Sequence, residues 1–153
     1  MGKEYVTKHI AALNNILEAF PKQIKVISEE EWSYKETSKW SKKEILGHLV
    51  DSALNNLQRY IRVQYQEVPH IAYHQNEWVA AQNWQEVSVA EIVTLWKSLN
   101  TQIAHVWSSF PEEKLEASIN VSKDLEKEEI YTFQEMLDDY IGHFNHHAKQ
   151  ILE

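Results

Sequence analysis

The sequence predicts an all-α protein built as a four-helix bundle. Three observations carry this. Ser or Thr followed three residues later by Glu opens three separate segments of helical period, at Ser41, Ser88 and Thr132. Within those segments the apolar residues recur at three- and four-residue intervals. Only three Gly and three Pro occur in 153 residues, too few turn formers for a many-stranded sandwich or barrel.

The first helix carries the fewest signals. Ile10, Leu13, Leu17 and Phe20 are spaced for it, and Pro21 ends it. The second spans residues 41 to about 64. At its start the Ser41 hydroxyl can accept from the Glu44 backbone N–H while the Glu44 carboxylate reaches back to the N–H of Ser41, with Trp40 and Ile45 as the flanking apolar pair. Ile45, Leu46, Leu49, Val50, Ala53, Leu54, Leu57 and Ile61 form its stripe. The third spans residues 88 to about 110, with Ile92, Leu95, Leu99, Ile103, Val106 and Phe110 on one face and Pro111 beyond its end. The fourth spans residues 132 to about 152, with Phe133, Leu137, Tyr140, Phe144, Ala148 and Ile151 inward. The connections 21–40, 65–87 and 111–131 are long enough to carry small elements or to cover a site. The charged run 123–129 reads as a solvated loop.

The length fits one domain over residues 1–153. Fifteen Lys and Arg against 23 Asp and Glu leave a net charge of −8, which argues against nucleic acid as a partner. No Cys is present, so a thiolate nucleophile, a disulfide scaffold and any Cys-ligated metal site are excluded. No apolar run approaches the roughly 20 residues of a membrane span. Residues 1–6 carry no signal-peptide core, and the expected compartment is the cytosol.

The eight histidines are the informative residues. His143 and His147, four apart on the fourth helix, place two imidazoles on one face, the spacing by which a helix grips a metal ion. His70 and His74 share the spacing but follow Pro69 in a connection, and read as loop residues rather than ligands. His48 sits on the second helix beside the apolar stripe, followed by Asp51, Ser52, Asn55, Asn56 and Arg59. It is either a third ligand or a histidine satisfied within the core. His48 lies ~10 Å along its helix from the Ser41 cap, and His143 and His147 lie ~16 and ~22 Å along theirs. All three share one level only if the second and fourth helices run antiparallel. That order needs a long crossover between helices two and three, which residues 65–87 can supply.

Residues 39–52 (KWSKKEILGHLVDS) and 138–151 (DDYIGHFNHHAKQI) resemble the second- and fourth-helix signatures of the DinB/YfiT-like superfamily. The spacing between them and the total length also fit. The resemblance implies an up-down-down-up bundle, often a homodimer, with a divalent metal held by His48, His143 and His147. His146 matches no ligand position and reads as a rim residue. Activities known in the superfamily include bacillithiol- or mycothiol-dependent transfer and a mycothiol-dependent isomerisation, so a low-molecular-weight thiol is an expected co-substrate.

Three neutral imidazoles leave a divalent ion its charge and open positions. Zinc is the expected ion, and nickel, iron and manganese also accept imidazole. The function expected is therefore a metal-dependent transferase or hydrolase acting on a small molecule. The alternative is a metal- or ligand-binding bundle without turnover. Asp51 and Asp139 are candidates to accept the second N–H of a ligating His. Asn55, Asn56, Arg59 and Tyr140 are candidate pocket residues, Arg59 suiting an anionic group.

Overall fold

Ser41, Ser88 and Thr132 each cap a helix in the computed structural model, which describes residues 2–153. Ser41 with Glu44 and Thr132 with Glu135 form the full reciprocal pair of bonds. At Ser88 only the half in which its hydroxyl accepts from the Glu91 N–H is made. The helices are α1 (Gly2–Gln23), α2 (Glu29–Ser33), α3 (Lys42–Arg62), α4 (Gln75–Gln82), α5 (Val89–Ser108) and α6 (Phe133–Leu152). Two short strands, β1 (Ser118–Asn120) and β2 (Ile130–Thr132), pair antiparallel just before α6.

The long helices α1, α3, α5 and α6 form the bundle, and side-chain contacts fix their directions. Lys42 Nζ, at the start of α3, donates to the Ile151 carbonyl at the end of α6 at 2.6 Å. At the opposite end the Tyr60 and Phe133 rings lie 5.7 Å apart, so α3 and α6 are antiparallel. On α1, His9 meets Asp138 and Phe20 meets Phe144, so α1 and α6 are parallel. Phe20 also packs on Trp96, near the start of α5. Tyr60 packs on Trp107 near the end of α5, and Leu46 shares a core cluster with Ile92, so α3 and α5 run the same way. The order is up-down-down-up, with the crossover in residues 63–88 carrying α4 and a 3-10 turn over Trp84–Glu86.

Several positions depart from the sequence expectation. Helix α1 runs two residues past Pro21 before tightening into a 3-10 turn at Ile24–Val26. So near its end, Pro21 removes only its own N–H from the ladder without breaking the helix. Leu54, Ile61 and Leu95 are exposed, because each sits on the flank of a stripe whose centre alone faces the core. The long connections hold small elements, including a third full capping box, at Ser28 and Glu31, that opens α2. The run 123–129 is exposed, as expected. Among the described residues no helix is long and apolar enough to cross a membrane.

Candidate metal centre

Because α3 and α6 are antiparallel, one turn near the start of α3 faces the last turns of α6. His48 is fully buried there, with Leu46 and Leu49 packed into the core beside it. Its Nε2 lies 3.1 Å from Nε2 of His143. The His147 ring centroid is 4.7 Å from that of His48 and 4.6 Å from that of His143. One ring nitrogen from each of the three falls within 4.8 Å of the others. Two nitrogens bound tetrahedrally to one zinc ion, each at about 2.0–2.1 Å, lie about 3.3 Å apart. The His48–His143 spacing is near that value, and the His147 nitrogen lies within 4.8 Å of both.

Hydrogen bonds orient two of the rings. Nδ1 of His147 donates to Gln150 Oε1 at 2.8 Å; a carbonyl oxygen only accepts, so the Nε2 lone pair of His147 is free. Nδ1 of His48 shares a hydrogen bond of 2.8 Å with the Tyr73 hydroxyl. Trp40 lies against the same imidazole, with ring centroids 4.9 Å apart. Electrostatics favour the neutral rings. Burial, then the neighbouring imidazoles His143 and His147, pulls the His48 pKa down to about 3. Burial, then His147 and His146, pulls that of His143 down to about 4. His147 is also lowered, by burial first, against the opposing bond from Gln150. Neutral imidazole is the form that can donate a lone pair to an ion.

The trio opens on two sides. A cavity of ≈ 570 Å³ reaches His143 and is lined by Ser52, Asn56, Arg59, Tyr73, Tyr140 and Asp139, with residues 121–129 along its edge. A second depression, ≈ 560 Å³, reaches His147 between Lys39, Trp40, Ile45 and Gln150.

The other predicted residues divide. Asp51 is buried, but it does not serve a histidine. Its carboxylate accepts from Gln82 Nε2 at 2.7 Å and Trp84 Nε1 at 3.4 Å, tying the crossover onto α3, and burial raises its pKa. Asp139 is exposed on the cavity edge and makes no bond to His143. Asn56 and Arg59 line the cavity, whereas Asn55 does not: one position round the helix, it turns its amide back to the Asp51 carbonyl. Tyr140 shows part of its ring to the cavity and donates its hydroxyl to Asn100 in the core. His146 is exposed, with its ring against His147. His70 and His74 are exposed; His70 Nε2 bonds the Ser122 carbonyl and His74 precedes α4. Sequence reasoning missed Tyr73 and Gln82, whose partners become neighbours only through folding, and Gln150, whose i, i+3 spacing from His147 on one helix was a local signal that could have found it. Trp84 packs tightly on α3: a Cβ on Gly47 would overlap its ring.

The sequence matches the family description "DinB superfamily" over residues 8–151. None of the curated proteins matches it. Among solved structures, the chain is similar to YfiT from Bacillus subtilis, described as a probable metal-dependent hydrolase with an unusual four-helix bundle topology. The TM-score is 0.85 at 18% identity, covering 95% of this chain and 83% of that one. It is also similar to a mycothiol-dependent maleylpyruvate isomerase, with TM-score 0.76 at 10% identity. That match covers 95% of this chain and 60% of the isomerase. At these identities the two likenesses establish the fold.

Proposed function

The chain belongs to the DinB superfamily, and from that membership we propose that it is a metal-dependent enzyme acting on a small molecule, with His48, His143 and His147 as the ligands of one divalent ion. The carrying observation is the approach of three neutral ring nitrogens to within 4.8 Å at the edge of an open cavity. When bound, such an ion supplies Lewis acidity that makes a water or thiol it holds easier to ionise. Zinc is the preferred ion, with nickel, iron and manganese as the other candidates.

The chain's own residues perform the rest. With Nε2 as the ligand atom, His48 keeps its proton on Nδ1 and donates it to Tyr73, which fixes the plane of the ring. Gln150 does the same for His147. The wall formed by Trp40 keeps water from one face of His48. Between a hydrolase and a transferase, the two separate openings favour transfer, because a second substrate can approach from the His147 side. With no Cys in the chain, a thiol would come from a low-molecular-weight co-substrate. A cytosolic homodimer completes the reading.

The test is a screen of thiols with model electrophiles, comparing the wild type with His147→Ala. Metal-dependent turnover that falls at least about 100-fold in the variant supports the proposal. Turnover unaffected by the substitution removes the centre from the mechanism. Stoichiometric metal with no turnover for any thiol or ester leaves the non-catalytic metal-binding bundle.

A further inference from the structure

We propose that the cavity beside His143 holds its ligand by a carboxylate, which takes two parallel hydrogen bonds from Arg59. The inference deepens the small-molecule reading above and rests on it for what is turned over, but the binding step itself needs no metal.

Arg59 is 7% exposed. None of the ion pairs among the described residues includes it. Its Nε and Nη2 donate to the Ile71 carbonyl at 3.1 and 2.7 Å, and Nη1 donates to Asn56 Oδ1 at 3.3 Å. A guanidinium has five N–H groups, so one remains on each terminal nitrogen. With Asn56 taking the outer Nη1–H, the two inner N–H groups form the fork that matches the two oxygens of a carboxylate. A buried cation without an anion in contact is costly, and removal from water already pulls the Arg59 pKa down. Asp139 and Glu129 face the same cavity and their charges partly offset the cost, but neither forms an ion pair with the guanidinium.

The surroundings suit a small monoanion. The Ser52 hydroxyl, on the same wall one turn from Asn56, accepts from Asn56 Nδ2 and keeps its own proton to give. Lys123 and Lys127 on the edge are offset by Asp124, Glu129 and Asp139, so the edge would repel a dianion such as phosphate more than a single carboxylate. The three hydrogen bonds already made by Arg59, to the two acceptors Ile71 O and Asn56 Oδ1, hold its plane fixed, so little side-chain freedom is lost on binding.

The experiment uses full-length ¹⁵N-labelled protein freed of metal by chelator. Sodium propionate, propionamide and sodium phosphate are titrated separately at constant ionic strength, following signals present in every variant, the side-chain amide of Asn56 and the backbone amides of Ser52 and Asn56 on the cavity wall. The expected result is a saturable shift with propionate in the millimolar range and none with propionamide. The shift disappears in Arg59→Gln and weakens at least tenfold in Arg59→Lys. If Arg59→Gln unfolds because Ile71 loses its donors, Arg59→Lys decides, since it keeps a charge and a donor but not the fork. No saturable shift, an equal response to propionamide, tighter binding of phosphate, or undiminished affinity in Arg59→Lys would overturn the proposal. Because the protein is metal-free, failure of the metal centre leaves this titration unchanged, and failure here leaves metal stoichiometry unchanged.

Discussion

Nδ1 of His48 and the hydroxyl of Tyr73 lie 2.8 Å apart across 25 residues of chain, with their rings inclined by only 10°. His48 belongs to α3 and Tyr73 to the crossover that follows it. The crossover is thereby part of the site: it orients the imidazole whose other nitrogen faces His143.

Tyr73→Phe keeps the ring and removes the hydroxyl. The expected result is a fold that survives, at a cost of about 1 kcal/mol for the lost bond, and zinc affinity reduced about 10–100-fold. Competition against a chromophoric chelator measures it. Affinity equal to wild type would mean that packing alone orients His48.

Gly47→Ala tests the seat of the crossover on α3. The added Cβ falls on the Trp84 ring, which is buried between the crossover and the helix. Overpacking of this kind destabilises by about 1–3 kcal/mol, and it also pushes Trp84 off the carboxylate of Asp51. Urea midpoints give the stability loss, and a red-shifted tryptophan emission reports the displaced indole. An unchanged midpoint would place the crossover elsewhere.

The metal-free protein should lose stability in mild acid. His48 and His143 have folded pKa values of about 3 and about 4, below the ordinary 6.5, and His147 is lowered as well. Between those values and 6.5 the unfolded chain binds more protons, so stability rises with pH. The contribution is complete above 6.5 and is lost progressively as pH falls below it. Asp51 and Asp139, whose pKa values burial raises, act in the opposite direction from 3.8 upward, two carboxyls against three imidazoles. Urea midpoints in chelator at about pH 7 and about pH 5 measure the slope. An equal or higher midpoint at the lower pH would contradict it.

Much of this architecture is legible in local sequence because local bonds create it. The Ser41, Ser88 and Thr132 caps are made within four residues, so spacing alone predicts those helix starts. The i, i+4 placement of His143 and His147 is equally local. The approach of His48 is not local. Helix lengths bring it level with the other two only when α3 and α6 are antiparallel, the order the family resemblance implies. Tyr73 and Gln82 carry no periodic signal, since their partners His48 and Asp51 are brought to them by the crossover. The three-residue strands β1 and β2 are too short to show alternation, and their register depends on the start of α6. Asp51 was a plausible partner for His48 by spacing, but Gln82 and Trp84 occupy its oxygens.

Metal content per chain, in protein purified without a histidine tag, tests the central claim most directly. With His48, His143 and His147 as ligands, the wild type should hold about one divalent ion per chain after equilibration with zinc or nickel and desalting, and His147→Ala far less. A ratio near zero that added metal does not raise, or full occupancy in His147→Ala, would contradict it.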